Sequence, residues 1–183
     1  MIKNARLCNF RFQFPAKWFS DEIRAKYDPF FKTQLSAYRN IEDYLSYTVQ
    51  SFSMPEISAE NVIQGFKDND KTFKGGKSGE RYFTKEFSIT FKTTDGFLNY
   101  FIMLDEFMKY YAWDTENPTF KNDLYLHILD DNGNLIVQIR FEDIVFNGVS
   151  ALNLSFSNNS MDLQTFNADF KFKSLYFDDE KLY

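Results

Sequence analysis

The stretch LYLHILDDNGNLIVQIRF, residues 124–141, contains two apolar runs on either side of the polar sequence DDNGN at 130–134. Asn-Gly is favoured where a tight hairpin turn needs positive φ angles, so the stretch predicts two antiparallel strands joined at this turn. In the second run the apolar residues recur at every second position, which places them on one face of a strand: Leu135, Val137, Ile139 and Phe141. The sequence therefore predicts an antiparallel sheet around this hairpin.

The same alternation recurs on both sides of the hairpin. Upstream, NFRFQF at 9–14 and YFTKEFSITFK at 82–92 place apolar residues, mostly phenylalanine, at every second position, with one interruption at Lys85. YTVQSFSMPEIS at 47–58 is predicted to be a strand that stops at Met54-Pro55, because proline cannot donate to a sheet ladder, and ENVIQGF at 60–66 resumes as a strand. Downstream, two further sets repeat the pattern: Leu152, Leu154 and Phe156, then Phe166, Ala168, Phe170 and Phe172.

One amphipathic helix is predicted at about residues 95–111. Thr93, Thr94 and Asp95 are good N-cap residues. Apolar residues then follow at spacings of four, three, four and three: Phe97, Phe101, Leu104, Met108 and Tyr111. We expect this stripe to face a sheet, since a stripe of that width is typical of any helix that covers one, although a partner groove is the alternative. The predicted fold is mainly β: an antiparallel barrel or sandwich with one helix packed outside it.

Two stretches interrupt the alternation. Residues 15–40 combine Pro15 and Pro29 with mixed charge and many aromatic residues, which predicts an insertion or long loop with one short helix. DNDKTFKGGKSGE at 68–80 has three glycines among charged residues, which predicts a long mobile loop. The 183 residues fit a single domain, 1–183, with an N-terminal insertion at about 15–43 and a core made largely of phenylalanine.

The charge balance and cysteine content exclude several classes of protein. A net charge of -5 disfavours tight binding to nucleic-acid phosphates. The single cysteine, Cys8, cannot form an intramolecular disulfide, so the fold does not need an oxidising compartment. MIKNARLCNFRFQF at the N-terminus lacks the apolar run of a secretory signal, and the longest nearly uncharged stretch, 96–104, is too short to cross a bilayer. We expect no membrane anchor.

Candidate catalytic and metal-binding residues are few. His127 is the only histidine, and with Cys8 it falls short of the three or four ligands that zinc usually takes. We interpret His127 as an ordinary sheet residue and rank a Cys8–His127 hydrolase last among the possible functions. GGKSG at 75–79 lacks the glycine that a phosphate-binding loop needs at position 71. The sequence therefore predicts no catalytic, cofactor or metal site, and a protein that is not an enzyme.

The order of these elements resembles the tail tube proteins of contractile-tailed bacteriophages and, more remotely, the hemolysin-coregulated tube protein of type VI secretion. The resemblance covers about three quarters of the chain, from residue 47 to residue 177. It rests on four features: the strand that runs into Met54-Pro55, the Gly/Lys-rich loop, the strand and helix in FSITFKTTDGFLNYFIMLDEFMKYY at 87–111, and the hairpin with its closing strands to 172.

The resemblance implies a structural virion protein. Its sixfold rings would stack into a tube inside a contractile sheath and conduct the genome. Its partners would be copies of itself, the sheath proteins and the baseplate proteins, and DNA would pass through the lumen without specific binding. It would be made in the bacterial host cytoplasm and lie in the virion tail. Because residues 15–43 depart from the compact family pattern, a tube-like baseplate or tail-end protein is the alternative.

Two surfaces acquire a role from this resemblance. The Gly-rich loop would reach the adjacent ring, and its predicted inter-ring contact residues are Phe73, Lys74, Gly75, Gly76, Lys77 and Ser78. An acidic, polar wall would repel phosphates and let DNA slide. Its candidates are the polar alternates of the closing strands, which would face a lumen or solvent: Asn153, Ser155, Asn167, Asp169 and Lys171.

A different class of function also fits the residues. A monomeric β-barrel could hold a hydrophobic ligand, because phenylalanine-rich faces can line a cavity as well as a packed core. A ligand carrier of this kind would stay monomeric, whereas a tube protein would oligomerise through exposed strand edges.

Overall fold

A computed structural model of the chain describes residues 9–32, 37–55, 61–66, 69–74, 85–112, 121–152 and 164–178. Ten strands and three helices lie within these ranges. In chain order they are β1 (Phe10–Gln13), α1 (Asp21–Phe31), α2 (Ile41–Thr48), β2 (Val49–Phe52), β3 (Asn61–Phe66), β4 (Asn69–Lys74), β5 (Glu86–Lys92), α3 (Leu98–Ala112), β6 (Leu124–Leu129), β7 (Leu135–Glu142), β8 (Val145–Val149), β9 (Thr165–Lys171) and β10 (Ser174–Asp178).

Eight of these strands form two four-stranded antiparallel sheets. The first sheet has the order β1-β6-β7-β10 and the second has the order β2-β5-β9-β8. Strands β3 and β4 form a separate hairpin, which pairs with neither sheet among the described residues. The prediction of a mainly β, antiparallel fold is confirmed, and of the two predicted forms the described strands adopt the sandwich.

The hairpin at 124–141 is confirmed as β6 and β7. Its turn places Gly133 at φ 81°, and the amide of Asp130 donates to the carbonyl of Asn134 at 2.8 Å. The Asp130 carboxylate accepts hydrogen bonds from the backbone amides of Asn132 and Asn134, both at 2.8 Å. A further hydrogen bond from the Asn134 side chain contributes most to holding the pKa of Asp130 below its ordinary value. The local sequence thus determines this turn.

Phenylalanine is the commonest buried residue of the core, as predicted. The inner faces of the two sheets meet at Phe87 of β5, whose ring centroid lies 4.7 Å from that of Phe141 on β7 and 5.3 Å from that of Phe170 on β9. Phe170 in turn stacks on Phe146 of β8 at 4.9 Å. Side chains therefore fill the space between the sheets.

The described residues of the 15–43 stretch, 15–32 and 37–43, contain more regular structure than the predicted loop. Helix α1 buries Ile23, Tyr27 and Phe31 at spacings of four, although Pro29 in its last turn had argued against a long helix. The short helix expected in this stretch is thus present as an 11-residue element that packs into the core. That the stretch is an insertion in a single domain stays a prediction.

Helix α2 is a correction to the predicted strand at 47–58. Tyr47 and Thr48 end this helix, and the strand, β2, begins only at Val49. The side chain of Asn40 caps α2 by accepting a hydrogen bond from the Asp43 amide at 2.8 Å. The β-branched Thr48 and the aromatic Tyr47 favour a strand on propensity, and this cap with the burial of Ile41 and Leu45 overrides it.

The predicted helix at about 95–111 is confirmed, but its predicted orientation is wrong. A 3-10 turn at Asp95–Phe97 leads into α3. Three members of the predicted inward stripe are exposed, with 46%, 55% and 49% of their surface accessible: Phe101, Met108 and Tyr111. We call these three residues the outer stripe of α3. The buried face instead carries Asn99, Ile102, Met103 and Glu106.

Two other predictions differ from the structure. Residues 69–74, predicted to be part of a mobile loop, form strand β4, while residues 75–80 lie outside the described residues. Leu152 follows the end of β8 without regular structure, so its assignment to a strand is wrong. The rest of that predicted strand, with Asn153, Leu154, Ser155 and Phe156, also lies outside the described residues, as does Cys8.

Candidate assembly surfaces

The second sheet has one apolar and one polar face. Along β9, Phe166, Ala168 and Phe170 are buried, whereas Asn167 and Lys171 are exposed and Asp169 is half-buried. The three polar alternates that the structure describes therefore point away from the core. On β5 and β9 the outward charged residues are two carboxylates and two lysines, so this face carries no acidic excess: Glu86, Lys92, Asp169 and Lys171.

Strand β10 leaves one edge of the first sheet open. Among the described strands it pairs only with β7. Tyr176 and Phe177 are 49% and 57% exposed, and as neighbours in a strand they point to opposite faces. Both side chains are therefore largely accessible to solvent, although the Arg140 guanidinium lies 5.2 Å from the centroid of the Tyr176 ring. This pair was not among the predicted contact residues, although two adjacent aromatic residues in the run SLYFD break the period of two.

A groove of about 220 Å³ lies at the other edge of the same sheet, between β1 and α2. Arg11 and Arg39 line it, together with Gln13 and Asp43. The Arg11 guanidinium lies 3.9 Å from the Asp43 carboxylate. The amide of Phe14, just after β1, donates to the Ser46 hydroxyl of α2 at 3.2 Å, which fixes the helix beside the strand.

A second, larger groove of about 450 Å³ separates α1 from α3. Ile23 and Met108 line it together with charged residues of both helices. The Asp105 carboxylate accepts hydrogen bonds from the Lys26 ammonium and the Tyr27 hydroxyl, both at 2.5 Å. Partial burial disfavours the charged form of Asp105, but these two hydrogen bonds outweigh it and hold its pKa below the ordinary value of 3.8.

This cluster predicts a pH dependence of stability. Because the pKa of Asp105 is lower in the folded chain than in the unfolded chain, its ionised form stabilises folding at pH values above 3.8, and this contribution is lost as the pH falls through the lowered value. Asp105→Asn is expected to reduce the difference in free energy of unfolding between about pH 6 and about pH 3, measured by urea denaturation. Asp21→Asn, on the exposed side of α1, is the matched control. An unchanged pH dependence in Asp105→Asn would contradict the assignment.

The predicted inter-ring contact residues begin at the end of the β3–β4 hairpin. Phe73 and Lys74 are the last residues of β4, and in the register of the hairpin Phe73 lies opposite Val62. Gly75, Gly76, Lys77 and Ser78 lie outside the described residues. Their contact with a neighbouring ring stays a prediction.

The residues considered for catalysis do not form a site in the described part of the chain. His127 lies in β6 opposite Gln138 of β7 and is half-buried. Within the described ranges no three His, Cys, Asp or Glu side chains lie together as metal ligands would. The helices within those ranges include none that is long and apolar enough to cross a membrane.

Comparison with known proteins gives a clear result for the fold alone. No family model and no curated protein match the sequence. Among solved structures, a chain of the anti-feeding prophage cap, the tube-terminating cap, aligns with 98% of this chain and 93% of its own length at a TM-score of 0.56 and 9% identity. The fold is that of contractile-injection tube and cap proteins. The predicted resemblance to contractile tube proteins is thus confirmed at the level of the fold.

Two further structures share this tube-and-cap fold. One is a chain of the sheath–tube complex of PVC, an extracellular contractile injection system, in its extended state, with a TM-score of 0.54, 10% identity, and coverage of 96% of this chain and 92% of that chain. The other is a chain of the PVC sheath/tube terminator, with a TM-score of 0.51, 13% identity, and coverage of 71% of this chain and 84% of that chain.

Proposed function

We propose that this protein is a structural subunit that associates with copies of itself into rings, which stack into the tail tube of a contractile phage or a related injection system. The observation that carries the proposal is the uncovered end of β10, where Tyr176 and Phe177 are exposed on opposite faces of an open sheet edge. Such an edge is a template for pairing with another chain. The fold shared with tube, cap and terminator structures supports this structural, non-enzymatic role.

In this proposal six subunits form each ring, with neighbouring sandwiches in contact at their edges. The polar face of β5 and β9 lines the lumen. Its balanced charges offer no cationic excess to hold phosphates, which supports passage of DNA without specific binding. This differs from the acidic wall that the net charge of the whole chain had indicated.

The α1–α3 surface faces the outside of the proposed ring. Helix α3 packs on the apolar face of the second sheet, with Phe107 5.2 Å from Phe146 and Tyr100 5.3 Å from Phe166 between ring centroids. It therefore lies on the side opposite the polar face. The outer stripe of α3 and the groove beside it are available there to sheath or baseplate proteins.

A cap or tail-end subunit of the same fold is the second candidate. It is supported by the alignment of 98% of this chain with a chain of the tube-terminating cap. A cap would form rings but not extend them. The ligand-binding barrel is less well supported, because phenylalanine rings fill the space between the described sheets.

Electron microscopy of the purified protein, with sedimentation at several concentrations, tests the proposal. We expect rings or hollow tubes from the wild-type protein. Deleting residues 73–78 is expected to abolish stacking while rings and the folded subunit persist, because the deletion removes the predicted inter-ring contacts. A variant with Gly/Ser residues at 73–78 is the matched control for loop length and is expected to stack as poorly as the deletion.

The possible outcomes separate the candidates. Intact tubes from the deletion variant would refute the inter-ring role of residues 73–78. Wild-type rings that never stack would favour the cap. A monodisperse monomer at every concentration would refute the assembly proposal and leave the ligand-binding barrel as the leading account.

A further inference from the structure

The two edges of the first sheet carry opposite charges in the same cross-strand row. Arg11 on β1 pairs in register with His127, His127 with Gln138, and Gln138 with Asp178 on β10. Arg11 and Asp178 therefore lie at the same height at opposite ends of the sheet. Since residues of one row point to the same face, both side chains lie on the outward face, away from the buried Phe12.

The direction of the strands is also compatible with joining the two edges. Each strand of the order β1-β6-β7-β10 is antiparallel to its neighbour, so β10 runs antiparallel to β1. A second copy placed edge to edge in the same orientation would continue the antiparallel pattern. A contact between two different edges is heterologous, and it closes into a ring when the rotation between copies allows it.

The groove between β1 and α2 has the chemistry to receive the end of β10. Arg11 and Arg39 line it against the half-buried carboxylate of Asp43, because Glu42 is buried and pairs with Arg24 at 3.4 Å. Its volume of about 220 Å³ is below the usual range of small-molecule pockets and suits one or two side chains. Guanidinium groups stack on aromatic rings and bind carboxylates bidentately.

The residues that β10 presents match this groove. Tyr176 and Asp178, two positions apart on β10, place an aromatic ring and a carboxylate on the same outward face. We propose that the end of β10 of one copy docks into the β1–α2 groove of the next copy, with Asp178 facing Arg11 and Arg39. This inference rests on the proposed function and names the surfaces that form the ring.

Charge reversal tests this pairing. Arg11→Glu or Asp178→Arg is expected to weaken self-association by roughly tenfold or more, because each places like charges opposite each other in every contact. The double variant is expected to recover near wild-type association. A mixture of the two single variants is also expected to assemble, because in an alternating ring every contact again joins opposite charges. Sedimentation measures the association, and circular dichroism confirms that each variant is folded.

Lys32→Glu is the matched control, since it makes the same change of charge at an exposed residue at the end of α1. It is expected to assemble like the wild type. Single variants that assemble like the wild type would overturn this inference but not the proposed function, and the end of β10 would then have another partner. Folded single variants whose mixture and double variant both fail to assemble would also overturn it. A wild-type protein that never self-associates would instead overturn the proposed function together with the inference.

Discussion

Replacing Trp18 with alanine is expected to destabilise the fold by about 3–5 kcal/mol, the range for removing a large aromatic side chain from a packed core. Trp18 is 1% exposed and lies where the N-terminal segment packs on the second sheet. Four aromatic rings lie around it, with centroids 4.8–6.0 Å from its own: Phe14, Phe19, Phe146 and Phe170. Because these rings come from β8, β9 and the segment between β1 and α1, few of them can move to fill the cavity.

Urea denaturation followed by circular dichroism measures this effect. Phe30→Ala is the comparison, because Phe30 is also an aromatic residue of the N-terminal segment but is 62% exposed. Its loss is expected to change the free energy of unfolding by only about 0.5 kcal/mol. Equal losses in the two variants would show that Trp18 is not at the centre of the core.

Glu106→Gln is expected to destabilise the protein by about 3–5 kcal/mol, because it leaves a buried cation without its partner. Glu106 is 1% exposed, and the side chain of Lys121, with which it pairs, is 13% exposed. The other oxygen of the carboxylate accepts hydrogen bonds from the Ser20 amide and hydroxyl, both at 3.1 Å. Glu106 thus joins α3 to the segment before α1 and to the segment before β6.

The matched control removes both charges. Glu106→Gln combined with Lys121→Met is expected to recover more than half of the loss, because a buried pair replaced by uncharged side chains leaves no uncompensated ion. Thermal or urea unfolding of the wild type, the two single variants and the double variant gives the coupling between the sites. Strictly additive losses would contradict a direct interaction between Glu106 and Lys121.

The sequence was sufficient to predict the structure where that structure depends on residues close together in the chain. The β6–β7 turn was predictable because Asp130, Gly133 and Asn134 supply its hydrogen bonds and its positive φ within five positions. The strands β5 and β9 were predictable because their alternation is uninterrupted. Fold class followed from these elements and from the order in which they occur.

The orientation of α3 was not predictable from the same rules. Most residues at 97–111 are apolar, so the hydrophobic pattern does not determine which face of the helix is buried. The buried face includes Asn99 and Glu106, and the polar groups of Glu106 find their partners at Ser20 and Lys121, at sequence separations of 86 and 15 residues. Burial of a carboxylate depends on partners that only the tertiary structure brings together.

The candidate assembly surfaces could not be predicted from the sequence, for a related reason. Arg11 and Asp178 are separated by nearly the whole chain, and only the strand order and register place them in one row. The loop at 68–80 was predicted from its Gly-rich composition, which did not reveal that residues 69–74 pair with β3. Lys and Thr residues in a strand lack the apolar alternation on which the prediction relied.

The alternation along β5 and β9 assigns the stability of the fold and the chemistry of the surface to different sequence positions. The positions that pack inward, odd-numbered on β5 and even-numbered on β9, hold the fold together, while exposed positions between them, such as Glu86, Asn167 and Lys171, contribute little packed volume. Substitutions at the second set can therefore accumulate at little energetic cost. One scaffold can in this way change its surface chemistry while its architecture persists.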